Sequence, residues 1–342
     1  MDMKEKILKI LNFNQPCFQF KAKIFNLKIA FQTNNEKILT AFQNLVNWNW
    51  LYTEEINLRE FSFYIYDTKS IDLPIVFNTP GGYIHRKTIG SIEYFCNEKN
   101  EKQLFIRIYE NIRFFIDLEE KLIFGALVLG EIYSEDFLSQ FIIFPILDFI
   151  LKQDGYFAIH SSGNVVNGKT FIFPAQKESG KSTVSLYLAR KGHGFLGDET
   201  IYGKVMGKEV RLFGFPRQIK LYNDSVQFFP ELNGLVKDSS NHGLTRFKIR
   251  FPVDKYFKFN FVKNTVPGNV IFLEKSRELS LTPVHGGEVA RYFIPESGEF
   301  TDKSIAVKYL DFFELLIKSS HIWLLKTGSD LDMAVKKLEG LT

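Results

Sequence analysis

From residue 61 the apolar positions alternate with polar ones at a period of two: Phe61, Phe63 and Ile65, then Ile92 and Tyr94, Leu104, Ile106 and Ile108, and Phe114 and Ile116. Successive side chains of a strand point to opposite faces, so this spacing predicts an antiparallel sheet with one wet face. Turns fall at Thr79-Pro80-Gly81-Gly82 and at Asn97-Glu98-Lys99-Asn100, and residues 122–129 read as one more strand. Before this region, Ile38, Leu39, Phe42, Leu45 and Val46 keep helical spacing, with Asn34 or Asn35 as the cap. The rest of the first 60 residues shows no firm pattern.

The period returns to three and four at Ser134, Phe137, Leu138, Phe141, Ile142, Ile146 and Phe149, which predicts a helix kinked at Pro145. Asp154-Gly155 marks a turn before a strand at 156–159. Residues 170–173 form an apolar run that reads as a strand, and Val184, Tyr187 and Leu188 share one face of a helix that ends at Gly192. Residues 200–205 and 210–213 predict a hairpin across Met206-Gly207-Lys208. A buried strand at 270–273, a helix at 310–317, a last strand at 322–325 and a helix at 331–341 capped by Gly328-Ser329-Asp330 complete the reading. The expected division is an N-terminal α+β domain at 1–130, whose expected role is acceptor recognition, a connecting helix at 131–153, and a catalytic domain at 154–342.

Composition narrows the classes. The chain has 342 residues, 45% hydrophobic and 24% charged, as globular proteins do, and a net charge of +4 that calls for no nucleic acid. Two cysteines, Cys17 and Cys96, stand far apart without a C-x-x-C pair, so neither a disulfide framework nor a structural zinc is expected, and a reducing cytoplasm fits. The most apolar segment, 137–151, is broken by Ser139, Gln140, Pro145 and Asp148 and falls short of the roughly twenty residues a bilayer span needs. The first residues lack the apolar core and cleavage site of a secretory signal.

The candidate chemistry lies between residues 170 and 199. After the strand at 170–173 comes a loop, and Gly180-Lys181-Ser182-Thr183 then opens a helix. Backbone N–H groups at a helix N-terminus face whatever lies before them, the dipole favours an anion, and Lys181 adds a full charge for the phosphates. Ser182 is placed for a magnesium ion. Gly194-Phe195-Leu196 leads into Asp198-Glu199, and two acids at the end of a short buried strand suit the far side of a magnesium nucleotide site. The usual G-x-x-x-x-G-K-[ST] pattern has glycine where this chain has Ala175, and Glu178 brings a carboxylate into the loop. A strand-turn-helix with a chance GKST is the alternative.

His160 with the following SSGNVVNGKTFIFPAQKESGKST, then GHGFLGDE and GFPRQIKLY, resembles the catalytic domain of the HPr kinase/phosphorylase family, closest to the HPr-kinase-like serine kinases of peptide tailoring (lasso-peptide type) systems. The resemblance covers residues 154–342. It implies a P-loop kinase domain of the PEP carboxykinase-like type, α+β or α/β with a mixed sheet, preceded here by a smaller, mainly antiparallel domain. It further implies ATP and Mg²⁺ as cofactors and a Ser or Thr hydroxyl of a peptide or small protein as acceptor. Asp198 would take the hydroxyl proton, Glu199 with Ser182 would hold the magnesium, and His160 matches a histidine that precedes the P-loop strand. Lys177, Glu178, Ser179, Gly180, Lys181, Ser182 and Thr183 would hold the nucleotide. Members of this family are often oligomers, which leaves a homo-oligomer open. The glycine-rich signature linked to phosphorolysis is absent, so a one-way kinase is expected.

Several readings stay open on the residues alone. Arg217 reaches a phosphate or is a surface arginine, and His160 is catalytic or a satisfied core histidine. Arg246, Lys248 and Arg250 alternate with Phe247, Ile249 and Phe251, giving either a solvated sheet face or a docking surface for an acidic peptide or phosphate. The alternative to an enzyme is a catalytically degenerate nucleotide- or peptide-binding scaffold with a kinase-like fold. Ala175 and Glu178 favour it; the joint retention of Lys181, Ser182, Asp198 and Glu199 opposes it.

Overall fold

The period-two stretches form strands and the period-three-to-four stretches form helices. A computed structural model describes residues 7, 18–46, 59–68, 79–89, 91–130, 133–174, 178–215, 219–235, 247–251, 253–285, 289, 303–328 and 330–342. The chain is mixed α/β with several sheets and divides into two units, residues 1–149 and 150–342.

The first unit holds eight strands: β1 (Phe18–Ile24), β2 (Leu27–Thr33), β3 (Arg59–Asp67), β4 (Tyr83–Ile89), β5 (Ile92–Asn97), β6 (Gln103–Ile108), β7 (Ile112–Asp117) and β8 (Leu122–Leu127). Their order across the sheet is β1-β2-β3-β8-β7-β6-β5-β4. β3 runs parallel to both β2 and β8, and the other pairs are antiparallel. The β2–β3 connection carries helix α1 (Glu36–Val46), as a parallel pair requires a long crossover. Asn35 caps α1 by accepting from the Lys37 N–H at 2.9 Å, and the Phe42 ring stacks on Phe31 at 4.0 Å. The other face carries a cluster of Ile7, Tyr66, Phe115, Phe124 and Ala126. The expectation of one wet face therefore fails in the middle of the sheet, where every residue of β7 and β8 is buried.

Ser134 accepts from the Phe137 N–H at 3.1 Å and starts the long helical run. A short turn, Glu135–Phe137, passes into a π-helical stretch, Leu138–Ile143, and then into α2 (Phe144–Gln153). Pro145 has no N–H to give, and the irregularity expected there takes the form of this π stretch, in which the Phe144 N–H reaches back to the Ser139 carbonyl. Among the described residues no helix is long and apolar enough to cross a membrane.

The second unit contains β9 (Phe157–Ile159), β10 (Ser161–Val166), β11 (Lys169–Pro174), α3 (Lys181–Arg190), β12 (Gly194–Gly197), β13 (Ile201–Met206), β14 (Glu209–Gly214), β15 (Ile219–Tyr222) and β16 (Lys248–Phe251). These are followed by β17 (Asn260–Phe261), β18 (Asn264–Thr265), β19 (Asn269–Glu274), β20 (Leu279–Pro283), α4 (Lys303–Lys318), β21 (His321–Thr327) and α5 (Leu331–Glu339). A seven-stranded mixed sheet has the order β17-β12-β10-β11-β19-β21-β20. β11, β19 and β21 are parallel neighbours, so their carboxyl ends lie together. The hairpin β13–β14 turns at Gly207-Lys208, with Gly207 at φ 66°, as a two-residue hairpin loop favours.

Helix α3 packs Val184 and Leu188 against Phe171, Ile271 and Leu325 of the sheet and Val335 and Leu338 of α5, so its flank is fixed while its first turn faces outward. Gly214 brings the hairpin close to β12: a Cβ there would stand 2.4 Å from the Leu196 carbonyl oxygen, two residues before Asp198. Asp330 caps α5 by accepting from the Met333 N–H at 3.1 Å. Cys96 is buried with a free thiol; Cys17 and Ser329 lie outside the described residues.

Candidate functional site

Gly180, at φ 97°, is the N-cap of α3, and Glu178, at φ 71°, also sits in the left-handed region. Glycine takes that conformation at no steric cost, whereas a glutamate there is held by its surroundings. The loop thus delivers the chain to α3 so that the first amides, which have no intrahelical partner, face out of the helix. Lys181 is the first helical residue and only 7% exposed.

The partners of this turn come from the strand end before β10 and from the chain after β12. Ser162 and Asn164 lie two residues apart on β10 and so share a face, and His160 stands between β9 and β10. His160 Nε2 lies 2.7 Å from Lys181 Nζ, and its Nδ1 lies 3.0 Å from the Glu199 carbonyl oxygen. The Ser162 hydroxyl donates to Asp198 Oδ1, and the Ser182 hydroxyl donates to the same oxygen at 2.9 Å. Asn164 Nδ2 donates to the carbonyls of Ser185 at 3.0 Å and Gly194 at 3.2 Å, which ties α3 to β12. Asp198 is 1% exposed, and its second oxygen, Oδ2, is buried with no hydrogen-bond partner among the described residues.

The two neighbouring acids differ in their electrostatics. Burial, and then the adjacent Glu199, push the Asp198 carboxyl above its ordinary range, against the pull of Ser162, Lys181 and Ser182. Burial also works to raise Glu199, but the attraction of Lys181, Lys220 and Lys248, among other groups, outweighs it and holds that carboxyl below its ordinary range. Glu199 is the acid that carries the charge readily.

These groups open on a cleft of about 290 Å³. It is lined by His160, residues 178–184 and Glu199, by Lys220, Leu221 and Tyr222 of β15 with Lys248 of β16, and by Lys275, Thr327, Gly328 and Leu331 at and beyond the ends of β19 and β21. The carboxyl ends of parallel strands are where open α/β sheets hold ligands. The Tyr222 hydroxyl donates to Glu178 Oε1 at 2.8 Å, and Lys248 Nζ stands 4.9 Å from the Tyr222 ring centroid.

Of the residues expected from sequence, His160, Glu178, Ser179, Gly180, Lys181, Ser182, Thr183 and Glu199 meet in this cleft, and Asp198 lies beneath Ser182 without lining it. Lys177, Arg217 and Arg246 lie outside the described residues, as does Ala175. His193 pairs with Glu339 at 2.9 Å, away from the cleft, and helps hold α5 against the end of α3. Ser162, Lys220, Tyr222 and Lys275 were not anticipated as site residues, whereas Lys248 was expected either on a solvated sheet face or on a docking surface for an acidic peptide or phosphate. Nearness to His160 in sequence was the available signal for Ser162.

Among the described residues no three His, Cys, Asp or Glu side chains gather as a metal cage. Magnesium bound with a nucleotide needs only one or two carboxylates besides phosphate oxygens and water. The hard oxygens of Ser182, Glu199 and Asp198, whose Oδ2 is unsatisfied, fit such an ion.

No protein-family model matches the chain, and no curated protein matches it. A search of solved structures returns the Hpr(Ser) kinase/phosphatase from Coxiella burnetii at 12% identity, covering 54% of this chain and 92% of that one, with a TM-score of 0.27. Likeness at that level carries no weight for function.

Proposed function

We propose that this chain is an ATP-dependent phosphotransferase that phosphorylates a Ser or Thr hydroxyl of a peptide or small protein. The observation that carries the reading is the convergence at one helix N-terminus of a buried cation, Lys181 on His160, with a hydroxyl on a buried acid, Ser182 on Asp198. Amides of 177–182 and the Lys181 ammonium would hold the triphosphate, with Arg217 a further phosphate contact. Ser182 and Glu199 would hold Mg²⁺, which supplies neutralisation of phosphate charge when bound.

Asp198 would accept the proton of the attacking hydroxyl. Burial and the adjacent Glu199 raise its pKa, which makes the carboxylate a stronger proton acceptor than an ordinary Asp. The Ser182 hydroxyl, which would help hold Mg²⁺, donates to Asp198 Oδ1, so an acceptor hydroxyl that reaches this carboxylate would take the place of that bond. His160 is a positioning residue for Lys181. The absence of the glycine-rich signature favours transfer in one direction.

The test is incubation with γ-labelled ATP, Mg²⁺ and a degenerate pool of Ser/Thr peptides. Label should pass to a hydroxyl, Asp198→Asn should abolish transfer, and phosphorylated product with millimolar phosphate should give no pyrophosphate. Failure to consume ATP would reject the kinase. A non-catalytic nucleotide-binding scaffold is the second reading, and the observation that favours it is the Glu178 carboxylate in the phosphate-facing loop.

A further inference from the structure

Resting on the kinase reading, we infer that the β15–β16 ribbon reads acidic residues beside the accepting hydroxyl, so that the acceptor is an acidic peptide segment. In the antiparallel register Lys220 faces Arg250 and Tyr222 faces Lys248. Directly opposed residues share a face, so one side of the ribbon carries Lys220, Tyr222, Lys248 and Arg250 together. The other side, Ile219, Leu221, Ile249 and Phe251, is buried with Leu186 and Ala189 of α3. The cationic face is therefore clamped to the same helix whose N-terminus forms the phosphate seat.

Two cations placed directly opposite each other destabilise a strand pair. Lys220 and Arg250 form such a directly opposed pair, which concentrates positive charge on this face of the ribbon. The row also outruns a nucleotide: Lys220 and Lys248 line the cleft, whereas Arg250 is exposed and outside it. Lys248 and Arg250 stand two residues apart, about 6.4–6.8 Å along the strand, the spacing at which an extended peptide presents alternate side chains. Glu178, Glu199 and Asp224 are the acids lining the cleft; Tyr222 engages Glu178, and Glu199 feels the attraction of Lys220 and Lys248. A net charge of +4 over the chain argues for a short acidic segment rather than a nucleic acid.

The experiment has a binding arm and a transfer arm. A fluorescent nine-residue peptide with a central Ser among Glu and Gly residues is titrated by anisotropy, alongside its Gln counterpart and a nine-nucleotide single strand, with wild type, Lys248→Glu and Arg250→Glu. The same proteins phosphorylate a random Ser/Thr peptide pool that is then sequenced, and their ATP affinity is measured separately. The Glu peptide should bind at least tenfold tighter than the Gln peptide, lose that margin in both variants and weaken with salt, while ATP affinity stays within about twofold in Arg250→Glu. Phosphorylated members should be enriched in Asp and Glu near the acceptor, and the reversals should shift that enrichment toward Lys and Arg. Transfer without acidic preference, tighter binding of the oligonucleotide, or a tenfold loss of ATP affinity in Arg250→Glu would overturn the inference. Acidic-peptide binding without any transfer would leave the ribbon's role standing and reject the kinase.

Discussion

Lys181 Nζ lies 2.7 Å from His160 Nε2. An ammonium can only donate, so Nε2 accepts and Nδ1 carries the proton given to the Glu199 carbonyl at 3.0 Å. The lysine that faces the phosphate seat is aimed by a ring that is itself fixed to the backbone of the acidic pair.

His160→Ala removes the acceptor that aims Lys181. One such bond contributes about 1 kcal/mol, so ATP affinity should fall roughly five- to tenfold. His160→Gln, whose side-chain oxygen can accept the same bond, should recover most of it. Equal loss in both variants would mean that the ring serves packing rather than the lysine.

The Asp198 carboxyl is raised by burial and then by Glu199, so the fold favours its protonated form. Its contribution to stability is full below the ordinary Asp value of about 3.9 and is lost as pH rises through the raised folded value. Asn keeps an oxygen for Ser162 and Ser182 and never ionises. Asp198→Asn should melt higher than wild type at pH 7–8, by ~2–4 °C for each kcal/mol recovered, and the difference should vanish toward pH 4. Thermal melts over that range decide it; identical melting at every pH would contradict a costly buried charge.

Glu178 brings a negative charge to a seat built for phosphates, and Tyr222 holds it at 2.8 Å. Two like charges about 6 Å apart at a dielectric near 20 repel by roughly 3 kcal/mol before screening, and an exposed side chain keeps only part of that. Glu178→Gly should tighten ATP binding several-fold, helped by relief of the left-handed backbone at φ 71°. Tyr222→Phe should weaken binding in wild type and do nothing in the Glu178→Gly background, as a double-mutant cycle by calorimetry would show. Unchanged or weaker binding in Glu178→Gly would assign the carboxylate a positive role.

The parts of the site that are contiguous in sequence were legible. The run through Gly180-Lys181-Ser182-Thr183 and the step into Asp198-Glu199 could be read because a strand, a turn and a helix each leave their own period. Pairing across distance was not legible: Tyr222 meets Glu178 from 44 residues away, and Lys248 joins the cleft only because β16 pairs with β15. Lys275 enters because β19 runs parallel to β11 and ends beside it. In the first unit polar letters misled. Arg113 and Asp117 read as a wet face, yet both are buried, with Arg113 donating to the Tyr109 and Ile112 carbonyls and Asp117 accepting from the Glu119 and Glu120 amides. A buried polar group that is satisfied by backbone looks the same in sequence as an exposed one. The strands β1 and β2 lay within the stretch read as patternless, although Phe18, Phe20, Ala22 and Ile24, and then Leu27, Ile29 and Phe31, keep the period of two with Lys21, Lys23 and Lys28 at the polar positions.

The central claim, that this cleft seats MgATP with Lys181 on phosphate and Asp198 on the acceptor proton, is tested most directly by calorimetric titration of ATP and MgCl₂ into wild type, Lys181→Ala and Asp198→Asn. Wild type and Asp198→Asn should bind within about threefold of each other, and Lys181→Ala should lose at least tenfold, the effect of about 1.4 kcal/mol. No binding by wild type, or an equal loss in both variants, would contradict it.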